Sequence, residues 1–249
     1  MYAIMSTSCA EGMEFMHRFY ADENNRISGE EAAHLTRVLR LEAGDEIEVL
    51  QGGKRYRAQL TEVTKTAADY ALFEELPSHE AKCRVTLYQG LCKGEKMDFI
   101  VQKCTEMGVD AIVPVVMARS VVKPDKADKK TERYARIARE AVKQCGRSKV
   151  PDVLPAMTFK QALERMKGHQ KLLMPYENGG AAFAQAIEET DVALLIGPEG
   201  GIAPEEAAAV EEIGGAAVTL GSRILRTETA GLVALTLTLH CAGDLGGEE

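Results

Sequence analysis

The chain has 249 residues, of which 45% are hydrophobic and 27% are charged, and its formal net charge is −8. This composition is ordinary for a soluble globular protein, and no apolar run approaches the roughly 20 residues that span a bilayer, so we expect no membrane partner. The six cysteines and five histidines are scattered, without a Cys-x-x-Cys pair or metal-ligand spacing, which favours reduced thiols in the cytoplasm over a disulfide framework or a metal site.

The first part of the chain, residues 16–76, is predicted to be a small β-barrel, preceded by an N-terminal extension of residues 1–15. Alternation of polar and apolar residues is typical of half-buried strands, and several short strands in succession favour a barrel. The predicted strands cover 45–50, 56–63 and 68–73, with a glycine hairpin turn at 51–54. A helix is expected near Gly29–Leu39, with a capping box formed by Ser28 and Glu31. The proline- and serine-containing segment 76–80 is the predicted domain boundary.

The second part, residues 82–249, is predicted to be an α/β domain with a parallel sheet, because short buried strands alternate with helices. The predicted strands cover 84–90, 111–116, 172–176 and 194–196. The predicted helices cover 96–108, 129–145, 183–189 and 227–241, with one more that starts at Pro204 and ends at 214–215.

The predicted helix 129–145 combines an apolar stripe with a basic face. Between Arg119 and Lys149 the chain has eleven Lys or Arg against four acids, whereas residues 178–249 contain two bases against twelve acids. A local cluster of one sign can bind a polyanion even in an acidic protein. The helix taken alone leaves two interpretations open, a solvated surface or a nucleic-acid contact.

The last predicted helix, Thr227–Cys241, is apolar nearly all round, so both of its faces have to be covered. We interpret it as a subunit interface, with a position inside the core as the alternative.

Two glycine-containing loops are predicted to follow strands of the sheet. The first lies in Leu195–Gly201 (LIGPEGG) and the second in Leu220–Ala230 (LGSRILRTETA). Loops at the carboxyl ends of parallel strands meet at one edge, where open α/β sheets bind their ligands. The first loop has neither a Walker lysine nor a G-x-G-x-x-G pattern, and its Glu199 discourages a phosphate. One such loop would be interpreted as a turn, but two favour a shared pocket for a neutral or cationic ligand.

Arg223 and Arg226 are the only bases of residues 178–249, and both lie in the second loop. They either pair with nearby glutamates or orient a substrate. The sequence contains no Gly-x-Ser-x-Gly elbow and no plausible Cys/His nucleophile pair, so a hydrolase is not expected.

The two loop sequences closely resemble the signature of the SPOUT methyltransferases, and within them that of the RsmE family, the 16S ribosomal RNA uridine-N3 methyltransferases. Further stretches agree with this family: HRFY at 17–20, KCTEMGV at 103–109, RS at 119–120 and QCGR at 144–147. The resemblance covers nearly the whole chain from Met16, with Met107 in place of the usual Leu and Cys145 in place of the usual Ser.

The resemblance implies a PUA-like RNA-binding barrel at 16–76 and a SPOUT α/β methyltransferase domain with a C-terminal trefoil knot at 82–249. It also implies a cytoplasmic homodimer that uses S-adenosylmethionine to methylate N3 of a uridine in the 16S ribosomal RNA of the small subunit. The residues expected by motif to bind S-adenosylmethionine are Pro175, Leu195, Gly197, Gly200, Gly201, Leu220, Ile224, Leu225, Thr229 and Ala230.

Arg226 is the expected catalytic residue, which would orient or stabilise the uracil. The residues expected to contact RNA are Arg18, Arg119, Lys130, Arg133, Arg136, Gln144 and Arg147. Two alternatives stay open: a SPOUT enzyme that methylates a ribose 2′-hydroxyl or a tRNA base, and a non-catalytic RNA-binding protein with the same fold. The general base is not assigned, and Glu199 either contacts the ligand or holds the loop.

Overall fold

The computed structural model describes residues 16–22, 24–121, 127–183 and 189–246. The chain forms two compact units that divide between Ser78 and His79. The predicted extension 1–15 and most of the predicted helix 183–189 lie outside the described residues. Within the described ranges, no helix is both long and apolar enough to span a membrane.

The first unit is a five-stranded mixed sheet in the order β1-β3-β4-β5-β2. Its strands are β1 (Arg18–Tyr20), β2 (Arg26–Ser28), β3 (Glu46–Gln51), β4 (Lys54–Val63) and β5 (Ala67–Leu76). Helix α1 (Gly29–Ala33) continues into a π-helical turn, His34–Leu39. The core contains Phe19 and Ile27 from the short strands and Leu35 from the helical segment, all fully buried. The predicted strands and the glycine hairpin turn are confirmed.

Two local predictions in this unit are wrong. Ser28 lies at the N-cap position of α1, but within the described first turn its side chain makes no capping hydrogen bond. Gly29, the first residue of α1, has a left-handed φ of 63°. The backbone directly after Ser28 is therefore not helical. Glu48, a polar position in the alternating pattern of β3, is only 3% exposed. Its carboxylate lies 2.6 Å from Arg55 Nε and 2.9 Å from Arg18 Nε, and this pairing permits its burial.

The second unit is an α/β unit whose described strand pairs are all parallel, as predicted. The strands are β6 (Arg84–Gly90), β7 (Ala111–Val116), β8 (Asp152–Val153), β9 (Met157–Thr158), β10 (Lys171–Pro175), β11 (Ala181–Ala182), β12 (Asp191–Ile196) and β13 (Ala216–Thr219). The helices are α2 (Lys96–Met107), α3 (Ala127–Cys145), α4 (Phe159–Met166), α5 (Pro204–Glu212) and α6 (Thr227–Cys241). The sheet order is β11-β13-β10-β12-β6-β7-β8, and β9 also pairs with β7.

Both faces of this sheet are covered. On one face α2, α3 and α6 pack over Val192 and Leu194, and on the other α4 and α5 pack over Ala193 and Leu195. Successive residues of β12 therefore enter opposite cores, as expected for a buried parallel strand. Helix α6 contributes Ala234, Leu235 and Leu239 to the first core.

Helix α4 was not among the predicted elements. Its N-terminus has a complete capping box, in which Thr158 Oγ1 accepts from the Gln161 N–H at 3.3 Å and the Gln161 side chain accepts from the Thr158 N–H at 2.9 Å. The sequence signal was therefore present as Thr-x-x-Gln at 158–161.

Candidate cofactor and RNA site

The loops that follow β12 and β13 enclose a cavity of about 410 Å³. The first loop lines it with residues 197–202 and the second with 224–227. The wall also includes Pro175, the last residue of β10, Glu177, which follows that strand, and Lys96, at the start of α2. A second cavity of about 140 Å³ is lined by residues 219–225 and shares Pro175 and Glu177 with the first. The predicted convergence of the two loops is thus present in the structure.

Two glycines allow the chain to pass closely around this cavity. A Cβ on Gly90, the last residue of β6, would lie 2.4 Å from the Pro198 nitrogen. Gly201 has a φ of +74°, and a Cβ there would collide with the carboxylate of Glu177. Side chains at these positions would displace the loop, because such approaches are shorter than van der Waals contact.

Glu199 holds the first loop in place. Its Oε1 accepts a hydrogen bond from the Lys93 N–H at 2.9 Å and lies 3.3 Å from Lys96 Nζ. Lys96 Nζ also lies 3.5 Å from Glu228 Oε2. Partial burial acts to raise the pKa of Glu199, but the backbone hydrogen bonds and Lys96 outweigh it and hold that pKa below its usual range. Glu199 is therefore an ionised anchor that ties the loop to the start of α2.

Two charged side chains of the cavity wall lack such pairing within the part of the chain that the structure describes. Among the described residues, neither Glu177 nor Arg226 forms a side-chain hydrogen bond or ion pair. Arg226 is exposed and precedes α6 in an extended conformation. A free carboxylate and a free guanidinium on one wall can each bind a ligand of opposite charge. The described residues contain no cluster of three His, Cys, Asp or Glu side chains that could hold a metal ion.

Most of the residues predicted to bind the cofactor lie around the two cavities. The main cavity is lined by Pro175, Gly197, Gly200, Gly201, Ile224, Leu225 and Ala230, together with Arg226. Leu220 lines the second cavity. Leu195 is instead fully buried in β12, and Thr229 is exposed in the first turn of α6. Neither residue is part of the cavity wall.

The residues predicted to contact RNA differ in exposure and in their side-chain partners. Exposed side chains at these positions are Arg119, Lys130, Arg133, Arg136 and Gln144. Arg119 Nη1 donates to the Gly200 carbonyl oxygen at 3.0 Å, and Arg133 forms a two-pronged pair with Asp98. Arg18, in the first unit, pairs with Glu48.

For Arg147 the structure requires a correction. Arg147 is only 4% exposed, and its side chain donates to Glu80 through Nε and Nη2 at 3.0 and 2.6 Å. Its Nη1 donates to the carbonyl oxygens of Thr105 and Val109 at 3.0 and 2.8 Å. A guanidinium enclosed in this way is not available to RNA, so Arg147 is a structural residue of this unit.

Several residues that shape the site had no signal in the sequence pattern. Buried Gln89 donates to Thr227 Oγ1, which donates to the Gly197 carbonyl oxygen. Buried Glu206 accepts from the backbone N–H groups of Ala118 and Ala203, and so joins the loop before Arg119 to the start of α5. These contacts connect residues that are far apart in the chain, which periodicity cannot indicate.

The chain matches two family models. Residues 79–239 match the RNA methyltransferase domain, and residues 27–69 match the RNA methyltransferase PUA domain.

Curated relatives and solved structures agree with these matches. Ribosomal RNA small subunit methyltransferase E of Bacillus subtilis (strain 168) is 36% identical over 236 residues, which cover 90% of this chain and 92% of that protein. A crystal structure of the protein of that name from Neisseria gonorrhoeae, bound to S-adenosyl methionine, superposes with a TM-score of 0.79 at 35% identity and covers 88% of this chain and 95% of its own. A Legionella pneumophila protein with bound SAM gives 0.80 at 31% identity, with coverages of 90% and 97%.

Proposed function

Because this chain belongs to the ribosomal RNA small subunit methyltransferase E (RsmE) family, we propose that it transfers a methyl group from S-adenosylmethionine to N3 of a uridine in 16S ribosomal RNA. The observation that carries the proposal is the cavity formed by the two glycine loops, whose sequences resemble the signature of this family. The RNA methyltransferase domain model spans both loops.

The cavity wall fits S-adenosylmethionine. About 410 Å³ falls in the range of small-molecule sites. The glycine loop offers backbone donors and acceptors, and Ile224 and Leu225 offer apolar surface for an adenine ring. Glu177, which has no side-chain partner among the described residues, suits a ligand with positive charge, whereas Lys96, which lines the cavity, is paired with Glu199 and Glu228. When bound, this cofactor supplies a methyl group activated by its positive sulfur.

Arg226 is the residue we assign to the uracil. Methyl transfer is an in-line displacement, so alignment of the acceptor nitrogen is the main requirement. Uracil N3 also carries a proton that has to leave, and negative charge then develops on the ring. Arg226 lines the cavity and has no partner among the described residues, so its guanidinium can orient the ring and stabilise that charge.

For RNA binding we assign the exposed side chains of α3 and the preceding loop. Lys130 and Arg136 are exposed on α3, and Arg119 lies directly beside the Gly200 carbonyl. Cations on the surface bind phosphates without reading sequence, and fix the register of the substrate. We also assign RNA binding to the PUA domain of the first unit, including Arg18.

We further propose that the protein acts in the cytoplasm as a homodimer. Ile224 is 92% exposed at the cavity, and Phe99, one turn after cavity-lining Lys96, is 44% exposed. Apolar side chains exposed beside a ligand cavity are suited to burial in a subunit interface. Phe99→Glu should then shift the protein from dimer to monomer in sedimentation experiments, and a monomeric parent protein would contradict the proposal.

The trefoil knot of the SPOUT fold is likewise proposed for the second unit. Its support is the match of residues 79–239 to the RNA methyltransferase domain, together with the resemblance of the two glycine loops to the SPOUT signature. Mechanical extension from both termini tests the knot, since a knotted chain ends shorter than its full contour length.

The decisive test of the function is to incubate small ribosomal subunits from a deletion strain with the purified protein and S-adenosylmethionine. N3 lies on the Watson–Crick edge, so its methylation stops reverse transcription, whereas a ribose 2′-O-methyl group leaves base pairing intact. One new stop in 16S RNA is expected. Methylation of a ribose in the subunit, or of tRNA supplied in a parallel reaction, would favour a different SPOUT activity. A protein that binds RNA but not S-adenosylmethionine in calorimetry would be non-catalytic.

A further inference from the structure

A buried amide that the proposed chemistry does not use lies beneath the cavity. Gln89 is fully buried near the end of β6, and its Nε2 donates to Thr227 Oγ1 at 2.8 Å and to the Gly90 carbonyl oxygen at 3.2 Å. Its Oε1 is also buried and has no hydrogen-bond partner among the described residues. An unpaired polar atom in a core destabilises the fold, so stability alone does not explain this glutamine.

The hydrogen bonds determine how the Gln89 amide is oriented. Thr227 Oγ1 lies 2.6 Å from the carbonyl oxygen of Gly197, which can only accept, so the single hydroxyl proton is committed there. The hydroxyl can then only accept from Gln89, which has to present its NH₂ group. Oε1 is consequently turned towards α6, where a Cβ on Gly231 would lie 3.2 Å from it.

This chain of hydrogen bonds ends at the cavity wall. Gly197 and Thr227 line the cavity, whereas Gln89 does not. The Gly197–Pro198 peptide packs directly on Gly90, the neighbour of Gln89 in β6. The first loop is therefore fixed from below by a strand residue and from the side by the first residue of α6.

We propose that Gln89 is a positioning residue for the cofactor. It directs the Thr227 hydroxyl to the Gly197 carbonyl and so holds the first glycine loop in its binding conformation. The unpaired Oε1 is the consequence of presenting the NH₂ group to Thr227. This inference rests on the proposed function, since it takes the loop as the wall of the S-adenosylmethionine site.

The replacement Gln89→Met tests the proposal, because it keeps the side-chain length but removes both the donor and the unpaired oxygen. We expect an unchanged or higher melting temperature, together with a dissociation constant for S-adenosylmethionine that rises about threefold to tenfold in calorimetry. A purely structural glutamine would give the reverse, with lower stability and unchanged affinity per folded molecule. That result would overturn the proposal.

Variants of Thr227 show whether Gln89 acts through this hydroxyl. Thr227→Val should weaken cofactor binding, Thr227→Ser should restore it, and Gln89→Met should have no further effect on affinity in the Thr227→Val background. Independent, additive losses of cofactor affinity from the two replacements would show that Gln89 does not act through the Thr227 hydroxyl. The matched control is Thr238→Val, which removes another buried hydroxyl of α6, hydrogen-bonded within the helix to the Ala234 carbonyl oxygen, and should leave affinity unchanged.

Binding of S-adenosylmethionine to the parent protein distinguishes a failure of the proposed function from a failure of the positioning role of Gln89. If the parent protein does not bind S-adenosylmethionine, the proposed function fails. If it binds and Gln89→Met binds equally well, only the positioning role fails.

Discussion

Arg119 donates a hydrogen bond from Nη1 to the carbonyl oxygen of Gly200 at 3.0 Å, across 81 positions of the chain. A Cβ on Gly200 would lie 2.9 Å from the Arg119 Cβ, so the two residues are packed as well as hydrogen-bonded. A side chain assigned to RNA is therefore also a support of the cofactor loop, and the two ligands are expected to influence each other's binding.

Replacement of Arg119 should reveal this double role. Arg119→Ala is expected to weaken S-adenosylmethionine binding about threefold to tenfold, because one charge-assisted hydrogen bond to the loop is lost, and to weaken RNA binding as well. Calorimetry with the cofactor alone measures the first effect. An unchanged cofactor affinity would restrict Arg119 to RNA contact.

Arg226→Ala should reduce methylation about 100-fold while it leaves S-adenosylmethionine affinity largely intact, because the guanidinium is assigned to the uracil. Arg226→Lys keeps the charge but not the planar donor group, and is expected to recover only part of the rate. Single-turnover methylation of small subunits measures both variants. Full activity of Arg226→Ala would remove this residue from the mechanism.

Glu177→Gln should weaken binding of S-adenosylmethionine about fivefold and leave binding of the neutral thioether product S-adenosylhomocysteine nearly unchanged, since only the former carries a sulfonium charge. Parallel calorimetric titrations of the parent protein and the variant give the change in affinity for each of the two ligands. The isosteric amide keeps the shape of the side chain, so an equal loss for both ligands would indicate a steric role for Glu177.

Lys130→Ala and Arg136→Ala should each lower RNA affinity and reduce the slope of log K against log salt by about one, as expected when one phosphate contact is lost. Filter binding at several salt concentrations provides the slopes. The exposed pair Lys167–Glu164 offers a control, and Lys167→Ala should leave the slope unchanged. A flat salt response of the parent protein would contradict phosphate binding by this surface.

Glu80 should make stability depend on acid pH. Burial acts to raise its pKa, but hydrogen bonds from Arg147 and from the N–H groups of Ser148 and Lys149, with the charge of Arg147, hold that pKa below the usual 4.5. Because the folded-state pKa is the lower one, this stabilisation is complete above pH 4.5 and is lost as the pH falls through the folded-state value.

Glu80→Gln is therefore expected to lower the free energy of unfolding by about 2 kcal/mol near neutral pH, since it leaves Arg147 without a counter-charge. Urea denaturation should show that the difference from the parent protein shrinks as the pH falls through the folded-state pKa of Glu80. Glu164→Gln, in an exposed pair with Lys167, is the control and should change stability by less than about 1 kcal/mol. A pH-independent difference for Glu80→Gln would contradict the linkage.

Sequence patterns were sufficient to predict the longer strands and most of the helices of the second unit, and the position of its binding loops. Strand β6 and helix α6 begin and end where the pattern predicts, because buried strands and helices impose a local periodicity. The resemblance to the family signature indicated both glycine loops. Most of the residues that it predicts to bind the cofactor line the cavity.

Which charged and polar residues are available to a ligand becomes visible only in the folded chain. Arg147 and Arg136 both belong to the basic tract, yet Arg147 is enclosed by Glu80 and two backbone carbonyls, whereas Arg136 is exposed. Gln89 meets Thr227 across 138 positions. Local sequence determines backbone conformation through short-range sterics and hydrophobic periodicity, but hydrogen-bond partners and burial depend on which distant segments the sheet brings together.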